Sequence, residues 1–321
     1  MARSFSTRLI TLFLILTDLQ IQCWAFGFHQ REICATGPPK ESLKKAHQDL
    51  SVLESKHDSA SEYTERQITN QIEIDTWFHI VSSEANAELV SDTMIASQLS
   101  HLQDAYRNAS ISYRLKGVTR EVNDTWARND DEIGMKNALR KGSYSTLNVY
   151  FQSDLHASSE GHGRSTPVPS ERQSEISNQL SSSILGFCTM PDPSINSSTP
   201  RASYAKDGCN VLAKTMPGGS LAHYNKGGTA IHEIGHWNGL LHIFEGESCA
   251  SENEGDYVAD TPQQSEATDG CPAEKNSCPN IPGFDAIHNF MDYSSDDCYE
   301  QFTPGQAKRM RSMWSAMREG K

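Results

Sequence analysis

The 321-residue sequence predicts an α+β fold, and three observations indicate it. Short segments in which apolar and polar residues alternate, as half-buried strands do, are separated by segments with helical periodicity. A later stretch, residues 245–283, is rich in Asp, Glu, Ser, Pro and Cys and is predicted to be irregular. The chain then closes with an amphipathic helix, which completes the mixture of elements typical of this class.

Strands and helices alternate along the first two-thirds of the chain. The first strand is predicted over Ile72–Ile80, where Ile72, Ile74, Thr76, Phe78 and Ile80 alternate with mostly polar residues. A helix over Glu88–Asn108 follows, because apolar side chains recur there at helical spacing on one face. A shorter helix is predicted over Glu132–Arg140. The other predicted strands are Ile111–Leu115, Leu147–Phe151, Ile184–Thr189 and Asn210–Lys214.

Two further helices are predicted in the last third. One covers Lys226–Gly239. The other follows Thr303, which is placed as an N-cap, with Pro304 at the first helical position and Gln306 completing a capping box. The apolar face of this closing helix consists of Ala307, Met310, Trp314 and Met317.

Composition excludes several classes of protein. The mean hydropathy of −0.57 is that of a globular chain, and the formal net charge is −13. An acidic protein is repelled by nucleic acids and by anionic membranes, so neither is an expected partner. Beyond the N-terminus, no segment is apolar enough for a membrane span, so no membrane anchor is expected.

The N-terminus is typical of a secretory signal peptide over residues 1–25, and the protein is expected to be extracellular. Arg3 and Arg8 precede an apolar run, Leu9–Leu16, that is too short to cross a bilayer. Residues 26–70 are polar and poor in core-forming side chains, so they are predicted to be a pro-segment, with a flexible linker as the alternative. The remaining residues, 71–321, would form the main folded domain.

The chemistry of the chain is concentrated in residues 232–242, His-Glu-Ile-Gly-His-Trp-Asn-Gly-Leu-Leu-His. On a helix His232 and His236 share one face about 6 Å apart, so both imidazoles can bind one zinc ion. Gly239 can end the helix with a positive φ, and His242 can then supply a third ligand. Three protein ligands leave a position open for water, which is typical of one catalytic zinc ion. Glu233 is placed to act as the general base.

Chance alone rarely produces this motif. The rarity of His and Glu gives on the order of 10⁻⁴ expected matches in a chain of this length. A helix with buried, hydrogen-bonded histidines is the structural alternative, but it leaves the spacing of Gly239 and His242 unexplained.

The motif resembles that of the metzincin metalloproteases, in which a Met-turn follows the zinc ligands. Asn289–Ser294 is similar to that turn. Among the metzincins the chain most resembles the pappalysin family, which includes ulilysin-like enzymes and secreted fungal extracellular metalloproteases. The resemblance covers about Ile72–Arg318 and rests on Gly227-Gly228-Thr229, Phe244-Glu245-Gly246, the stretch from Gly255 to Pro262, the Met-turn and the stretch from Phe302 to Gln306.

The resemblance implies a metzincin fold and a proteolytic activity. A mixed five-stranded twisted sheet with two helices would lie above the cleft, and an irregular, disulfide-linked lower half would end in a helix. Met291 would pack beneath the zinc site, and Tyr293 would hydrogen-bond the tetrahedral intermediate. The substrates would be proteins and peptides, held extended on the edge strand Ile184–Thr189.

Two functions other than proteolysis are also compatible with a zinc site of this kind. One is a catalytically silent secreted zinc-binding or adhesion protein on the same fold, which the presence of Glu233 argues against, since a general base serves chemistry rather than folding. The other is a zinc hydrolase acting on a non-peptide amide, which cleavage of a denatured protein would separate from a protease.

Seven cysteines remain after removal of the signal peptide, so one is left over if the others pair. Cys188 and Cys209 lie on candidate neighbouring strands and are expected to pair. The resemblance implies the pairs Cys249–Cys278 and Cys271–Cys298. Cys34 then remains in the pro-segment, where its thiolate could bind the zinc of a zymogen. A disulfide from Cys34 to Cys188 or Cys209, or an intermolecular bridge, are the alternatives.

Two other kinds of site are predicted outside the zinc motif. The segment Glu254–Thr261 offers the oxygen atoms of Asp256, Asp260 and Thr261 and is interpreted either as a calcium site or as a solvated acidic loop. Sequons at Asn108, Asn123 and Asn196 predict N-glycosylation in a secreted protein.

Overall fold

Five strands form one mixed sheet in the computed structural model, which describes residues 34–58, 71–157 and 184–321. The order across the sheet is β2-β1-β3-β5-β4. Neighbouring strands are parallel, except that β4 runs antiparallel to β5 at one edge. The predicted mixed five-stranded sheet is therefore confirmed. The strands are β1 (Ile72–Ser82), β2 (Ile111–Val122), β3 (Leu147–Gln152), β4 (Gly186–Cys188) and β5 (Cys209–Leu212).

The strands differ from their predicted bounds by at most two residues at either end, except for β2, which differs more. β2 continues to Val122 and pairs with β1 along its whole length, although only Ile111–Leu115 shows a buried alternation. The extension is a sheet edge with charged, exposed side chains such as Lys116 and Glu121, which the apolar pattern cannot detect. β4 is shorter than predicted, because only Gly186–Cys188 pairs with β5.

Six helices accompany the sheet in the described part of the chain. They are α1 (Glu41–Asp58), α2 (Asp92–Tyr106), α3 (Asp124–Ala127), α4 (Glu132–Leu139), α5 (Gly228–Trp237) and α6 (Pro304–Met317). α2 begins at Asp92 rather than Glu88, because the Ser91 hydroxyl accepts a hydrogen bond from the Met94 N–H and caps the helix there. The one-turn helix α3 was not predicted.

The main core lies between the sheet and the helices that cover it. α2 contacts β2, and α5 contacts β4 and β5, so both helices pack against strands of the sheet. Phe78 on β1 and Phe151 on β3 are fully buried and pack edge to face, 5.2 Å between ring centroids. The helix that carries the predicted zinc motif therefore packs on the antiparallel edge of the sheet.

α6 begins with the predicted capping box, in which Thr303 and Gln306 exchange hydrogen bonds. The apolar side chains of its predicted face are buried. α1 packs against this helix, and Leu43, at 2% exposure, joins a cluster with Met313 and Met317. The expectation that residues 26–70 contribute little to a core is therefore wrong for Leu43.

An ion pair joins α1 to α6 as well. Arg309 of α6 is 1% exposed and donates to the Glu54 carboxylate of α1, 2.9 Å from Nη2 to Oε2. Arg309 also lies 2.9 Å from Nδ1 of the fully buried His47. The described part of the predicted pro-segment therefore belongs to the same compact unit, Arg31–Lys321, as the main domain predicted over residues 71–321.

Residues 245–283 contain no helix or strand, as predicted. Disulfides Cys249–Cys278 and Cys271–Cys298 cross this stretch, and Cys188–Cys209 joins β4 to β5. The predicted signal peptide, residues 1–25, lies outside the described residues. Within the described ranges no helix has both the length and the apolar character that a membrane crossing requires.

Candidate metal centre

α5 is positioned by groups from outside the helix. Its first turn lacks a side-chain cap of its own, because Gly227 occupies the N-cap position with φ of 88°. The Asp296 carboxylate supplies the acceptor instead. Its Oδ2 accepts hydrogen bonds from the backbone N–H groups of Lys226, over 2.6 Å, and Gly228, over 3.4 Å. A buried carboxylate at a helix N-terminus also complements the helix dipole. The C-terminal end is set by Gly239, whose φ is 93°.

The three predicted ligand histidines meet at the end of this helix. The Nε2 atoms of His232 and His236 are 3.2 Å apart, and those of His236 and His242 are 3.1 Å apart. All three residues are buried, with exposures of 2%, 0% and 8%. The turn after Gly239 therefore brings His242 to the first two ligands, as the spacing predicts.

The hydrogen bonds of His232 and His236 fix their tautomers. Nδ1 of His232 donates to the Phe290 carbonyl over 2.7 Å, and Nδ1 of His236 donates to the Leu240 carbonyl over 2.8 Å. A carbonyl oxygen only accepts, so both Nδ1 atoms carry the proton and both Nε2 atoms present lone pairs. Facing lone pairs repel each other in a buried site unless a cation lies between them.

The donor set fits zinc. Tetrahedral bonds of about 2.0–2.1 Å place neighbouring nitrogen ligands about 3.3 Å apart, close to the distances between the Nε2 atoms. Burial also lowers the pKa of His232 to about 4 and the pKa values of His236 and His242 well below the usual value. All three imidazoles are therefore neutral, which is the form that binds a metal.

Glu233 is fully buried beside the three histidines. Its Oε2 accepts a hydrogen bond of 3.1 Å from the Thr36 hydroxyl, and its Oε1 has no partner among the described residues. Burial raises the pKa of Glu233 to about 8. Gly186 of β4 leaves room for it, because a Cβ there would lie 2.7 Å from Glu233 Cγ. A carboxylate poised near neutral pH is suited to accept and return a proton.

The predicted Met-turn lies directly beneath the ligands. Met291 is fully buried, and a Cβ on Gly235 of α5 would lie 2.5 Å from its sulfur. Ile243 donates its N–H to the Met291 carbonyl over 3.3 Å, which ties the third-ligand turn to the Met-turn. Tyr293 packs against His232 and His242, with ring centroids 5.7 and 5.0 Å apart. Met291 thus acts as a packing base.

Cys34 lies in the same cluster. Its sulfur and the nitrogens of the three histidines all lie within 4.8 Å of one another. The thiol is free and buried, so neither alternative disulfide within the chain, to Cys188 or to Cys209, is formed. Cys34 forms a parallel bridge with Gly186 of β4, and its carbonyl accepts a hydrogen bond of 3.2 Å from the Tyr293 hydroxyl.

The remaining predicted site residues lie on the surface or in loops. Asn108 and Asn196 are exposed, whereas Asn123 is half-buried and caps α3 through its side-chain oxygen. Asp256 is 4% exposed, and both carboxylate oxygens of Asp260 accept hydrogen bonds at the start of α6, from Thr303 and Gly305.

Sequence reasoning did not identify four residues that shape this centre. Gly186, Asp296 and Thr36 act through the backbone or through long-range hydrogen bonds, which no local motif encodes. The fourth, Phe244, stacks on His242 with ring centroids 4.8 Å apart. The sequence analysis used Phe244 only as part of the stretch Phe244-Glu245-Gly246 that carries the family resemblance, not as a residue of the site.

Comparison with known proteins gives a consistent result. A family model described as pregnancy-associated plasma protein-A, Peptidase M43, matches residues 186–315. An extracellular metalloprotease of Aspergillus oryzae is 64% identical over 310 residues, covering 97% of each protein. An extracellular metalloprotease of Pyricularia oryzae is 41% identical over 290 residues, covering 90% of each.

Solved structures share the fold. Mature mirolysin of Tannerella forsythia in complex with a cleaved peptide is 26% identical, with a TM-score of 0.57, and the match covers 78% of this chain and 97% of that one. A promirolysin mutant matches with a TM-score of 0.60 at 22% identity, over 89% of this chain and 95% of the other, a likeness of fold alone.

Proposed function

This chain belongs to the extracellular metalloproteases of the pregnancy-associated plasma protein-A peptidase family and is a secreted zinc-dependent endopeptidase, and we propose that His232, His236 and His242 hold its single catalytic zinc. The observation that carries the proposal is the convergence of three buried imidazole nitrogens at 3.1–3.2 Å. Two of these nitrogens present lone pairs that face each other, and a cation between them removes their repulsion.

Glu233 is the general base in this proposal. A zinc ion held by these ligands would supply Lewis acidity, which would make a water molecule acidic near neutral pH. The Glu233 carboxylate takes a proton from that water and returns it to the leaving amine. The Tyr293 hydroxyl, which hydrogen-bonds a backbone carbonyl in this structure, donates to the oxyanion of the tetrahedral intermediate.

The substrate is an extended polypeptide bound along β4. This strand is the edge of the sheet, and its Gly186 lies against Glu233. The segment around Cys34 already uses this edge, because Ala35 donates its N–H to the Gly186 carbonyl over 2.9 Å. Backbone pairing of this kind gives affinity without demanding a particular sequence. A catalytically silent binding protein is not favoured, since it would not need Glu233.

Casein hydrolysis tests the proposed function. The purified protein, after removal of the pro-segment, is expected to cleave casein, to lose this activity with o-phenanthroline and to regain it when zinc is added. Activity that survives complete removal of zinc would contradict the metal-dependent mechanism. Cleavage of small amides without any cleavage of casein would favour the non-peptide hydrolase instead.

Latency is the second part of the proposal, with residues 26–70 as the pro-segment and Cys34 as a zinc ligand of the zymogen. The Cys34 sulfur lies among the nitrogens of the three proposed ligands, and the backbone of Cys34 and the side chain of Thr36 contact Tyr293 and Glu233. Thr36 donates to Glu233, and the Cys34 carbonyl accepts from Tyr293. A thiolate on zinc would exclude the catalytic water. The packing of α1 on α6 holds the segment in place.

Replacing Cys34 with serine is expected to raise the activity of the unprocessed protein, because a neutral hydroxyl is a much weaker zinc ligand than a thiolate. Casein cleavage by uncut Cys34→Ser and uncut wild type is the measurement. Lys40→Ala is the matched control, because Lys40 lies in the same segment but only in an exposed ion pair with Asp192. Equal latency in Cys34→Ser and wild type would leave steric blockage by the segment as the cause.

Calcium binding by the loop over Glu254–Thr261 is the third part. Asp256 supports it, because this carboxylate is 4% exposed and its Oδ2 has no partner among the described residues. Burial raises the pKa of Asp256 to about 7, so a bound cation would be needed to keep it ionised below neutral pH. Asp260 gives the site less support, because both of its carboxylate oxygens already accept hydrogen bonds at the start of α6.

Calcium is therefore expected to raise the melting temperature of zinc-loaded protein, and Asp256→Asn is expected to abolish the increase. The measurement is thermal unfolding with and without calcium after metal stripping and zinc reconstitution. An unchanged melting temperature of the wild type would remove the site and leave a solvated acidic loop.

A further inference from the structure

The third histidine of the metal centre is held differently from the other two. His232 and His236 each donate Nδ1–H to a backbone carbonyl, which fixes the plane of each ring. No described residue hydrogen-bonds Nδ1 of His242, whose polar contact is with His236 Nε2. Rotation about χ2 of a histidine is broad and weakly restricted. The ring of His242 therefore needs another means of keeping its Nε2 lone pair directed at the metal.

Phe244 supplies that means. Its ring stacks on the His242 ring with centroids 4.8 Å apart and an interplanar angle of 12°. The Glu245 N–H donates to the His242 carbonyl over 3.0 Å and closes a turn that returns Phe244 over the ligand. Phe244 is 6% exposed, so the stack is buried and sterically defined. Contact between nearly parallel rings restricts rotation of the imidazole out of its plane.

The same ring also contacts Tyr293. Phe244 and Tyr293 pack edge to face at 4.9 Å, and Tyr293 packs edge to face on His242 at 5.0 Å. The three rings form one cluster, in which Phe244 is the member that neither binds metal nor carries a polar group. Its contribution is therefore purely geometric.

We infer that Phe244 is a positioning residue that orients His242 for zinc binding. The inference rests on the proposed zinc ligands. Zinc accepts a lone pair that lies in the plane of the imidazole, so an imidazole free to rotate binds it less tightly. Loss of a group that orients a metal-ligating histidine typically weakens metal binding by about 10–100-fold. Phe244→Leu is therefore expected to weaken zinc binding by that factor.

The test uses the full chain carrying Glu233→Ala, which prevents self-digestion. Zinc affinity is measured by competition with a chelator, and the absorption spectrum of the cobalt-substituted protein reports the ligand geometry. Phe244→Leu and Phe244→Met, which keep apolar volume without a ring, are both expected to weaken zinc binding and to alter the cobalt spectrum. Phe244→Tyr, which keeps the ring, is expected to restore both properties to those of the parent.

Phe78→Leu is the matched control, because Phe78 is a buried aromatic residue that packs on Phe151. It is expected to lower the melting temperature without changing zinc affinity or the cobalt spectrum. Parental zinc affinity in Phe244→Leu and Phe244→Met, or equal weakening in Phe78→Leu, would overturn the inference. His242→Ala tests the premise separately, since parental zinc affinity in that variant would refute the proposed ligands themselves.

Discussion

Replacing Glu233 with alanine is expected to reduce kcat by about 10²–10⁴-fold while leaving the zinc content unchanged. The side chain lies beside the three histidines, but it is not one of the groups that converge on the proposed zinc position. It is buried, and one carboxylate oxygen has no partner, so it is available for proton transfer. The variant should therefore fold, bind zinc and fail at the chemical step. Casein cleavage and metal analysis of the processed protein measure the two halves of this expectation.

Glu233→Gln is the matched control for shape. It fills the same space and can still accept a hydrogen bond from Thr36, but it cannot take a proton. An equal loss of kcat in both variants would assign the effect to the proton transfer rather than to packing. Proteolysis at the wild-type rate by either variant, or loss of zinc from both, would refute the role of Glu233.

Replacing Asp207 with alanine is expected to destabilise the protein by about 3–5 kcal/mol, the usual cost of leaving a buried charge uncompensated. Asp207 is 3% exposed and lies between two buried guanidinium groups, 2.9 Å from Arg140 Nη2 and 3.1 Å from Arg318 Nη2. Together these guanidinium groups hold the pKa of Asp207 below its usual value, against the effect of burial. Without the carboxylate, both cations would remain in the interior unpaired.

The same cluster connects the end of the chain to the metal-binding helix. Asp207 accepts a hydrogen bond of 3.3 Å from the indole N–H of Trp237, the last residue of α5. Arg318 donates to the Trp237 carbonyl over 3.0 Å, and its guanidinium lies 3.7 Å from the Trp237 ring centroid. Loss of Asp207 should therefore loosen the C-terminal end of α5, where the ligands lie.

Thermal unfolding in the Glu233→Ala background measures this effect, and a fall in melting temperature of roughly 6–20 °C corresponds to the expected free energy. Asp104→Ala is the control, because Asp104 pairs with Arg107 on the surface of α2, where ion pairs contribute little. A melting temperature of Asp207→Ala equal to that of the control would show that the buried pairs do not stabilise the fold.

The metal centre was the most predictable part of the molecule from sequence. His232, Glu233, His236 and His242 lie within eleven consecutive residues, so helix geometry and one glycine turn determine their relative positions. The disulfide pairs could not be derived in this way, because several connectivities satisfy the same cysteines. The pairing Cys249–Cys278 and Cys271–Cys298 came from resemblance to the family, and the structure has both.

Contacts between segments that are far apart in the sequence could not be predicted, and the reason is physical. Thr36 reaches Glu233 across 197 positions, and Glu54 reaches Arg309 across 255. Neither contact has a local pattern, since each depends on the fold bringing two surfaces together. The docking of α1 on α6 depends on Leu43 and on a buried ion pair, although the polar composition of residues 26–70 indicated a segment with little core.

Anomalous diffraction at the zinc absorption edge tests the central claim most directly. A crystal of the secreted protein should give a peak about 2.0–2.1 Å from the Nε2 atoms of His232, His236 and His242. That result would place the metal on the three predicted ligands, beside Glu233. A zinc peak elsewhere, or one bound by fewer than all three of these histidines, would contradict the account.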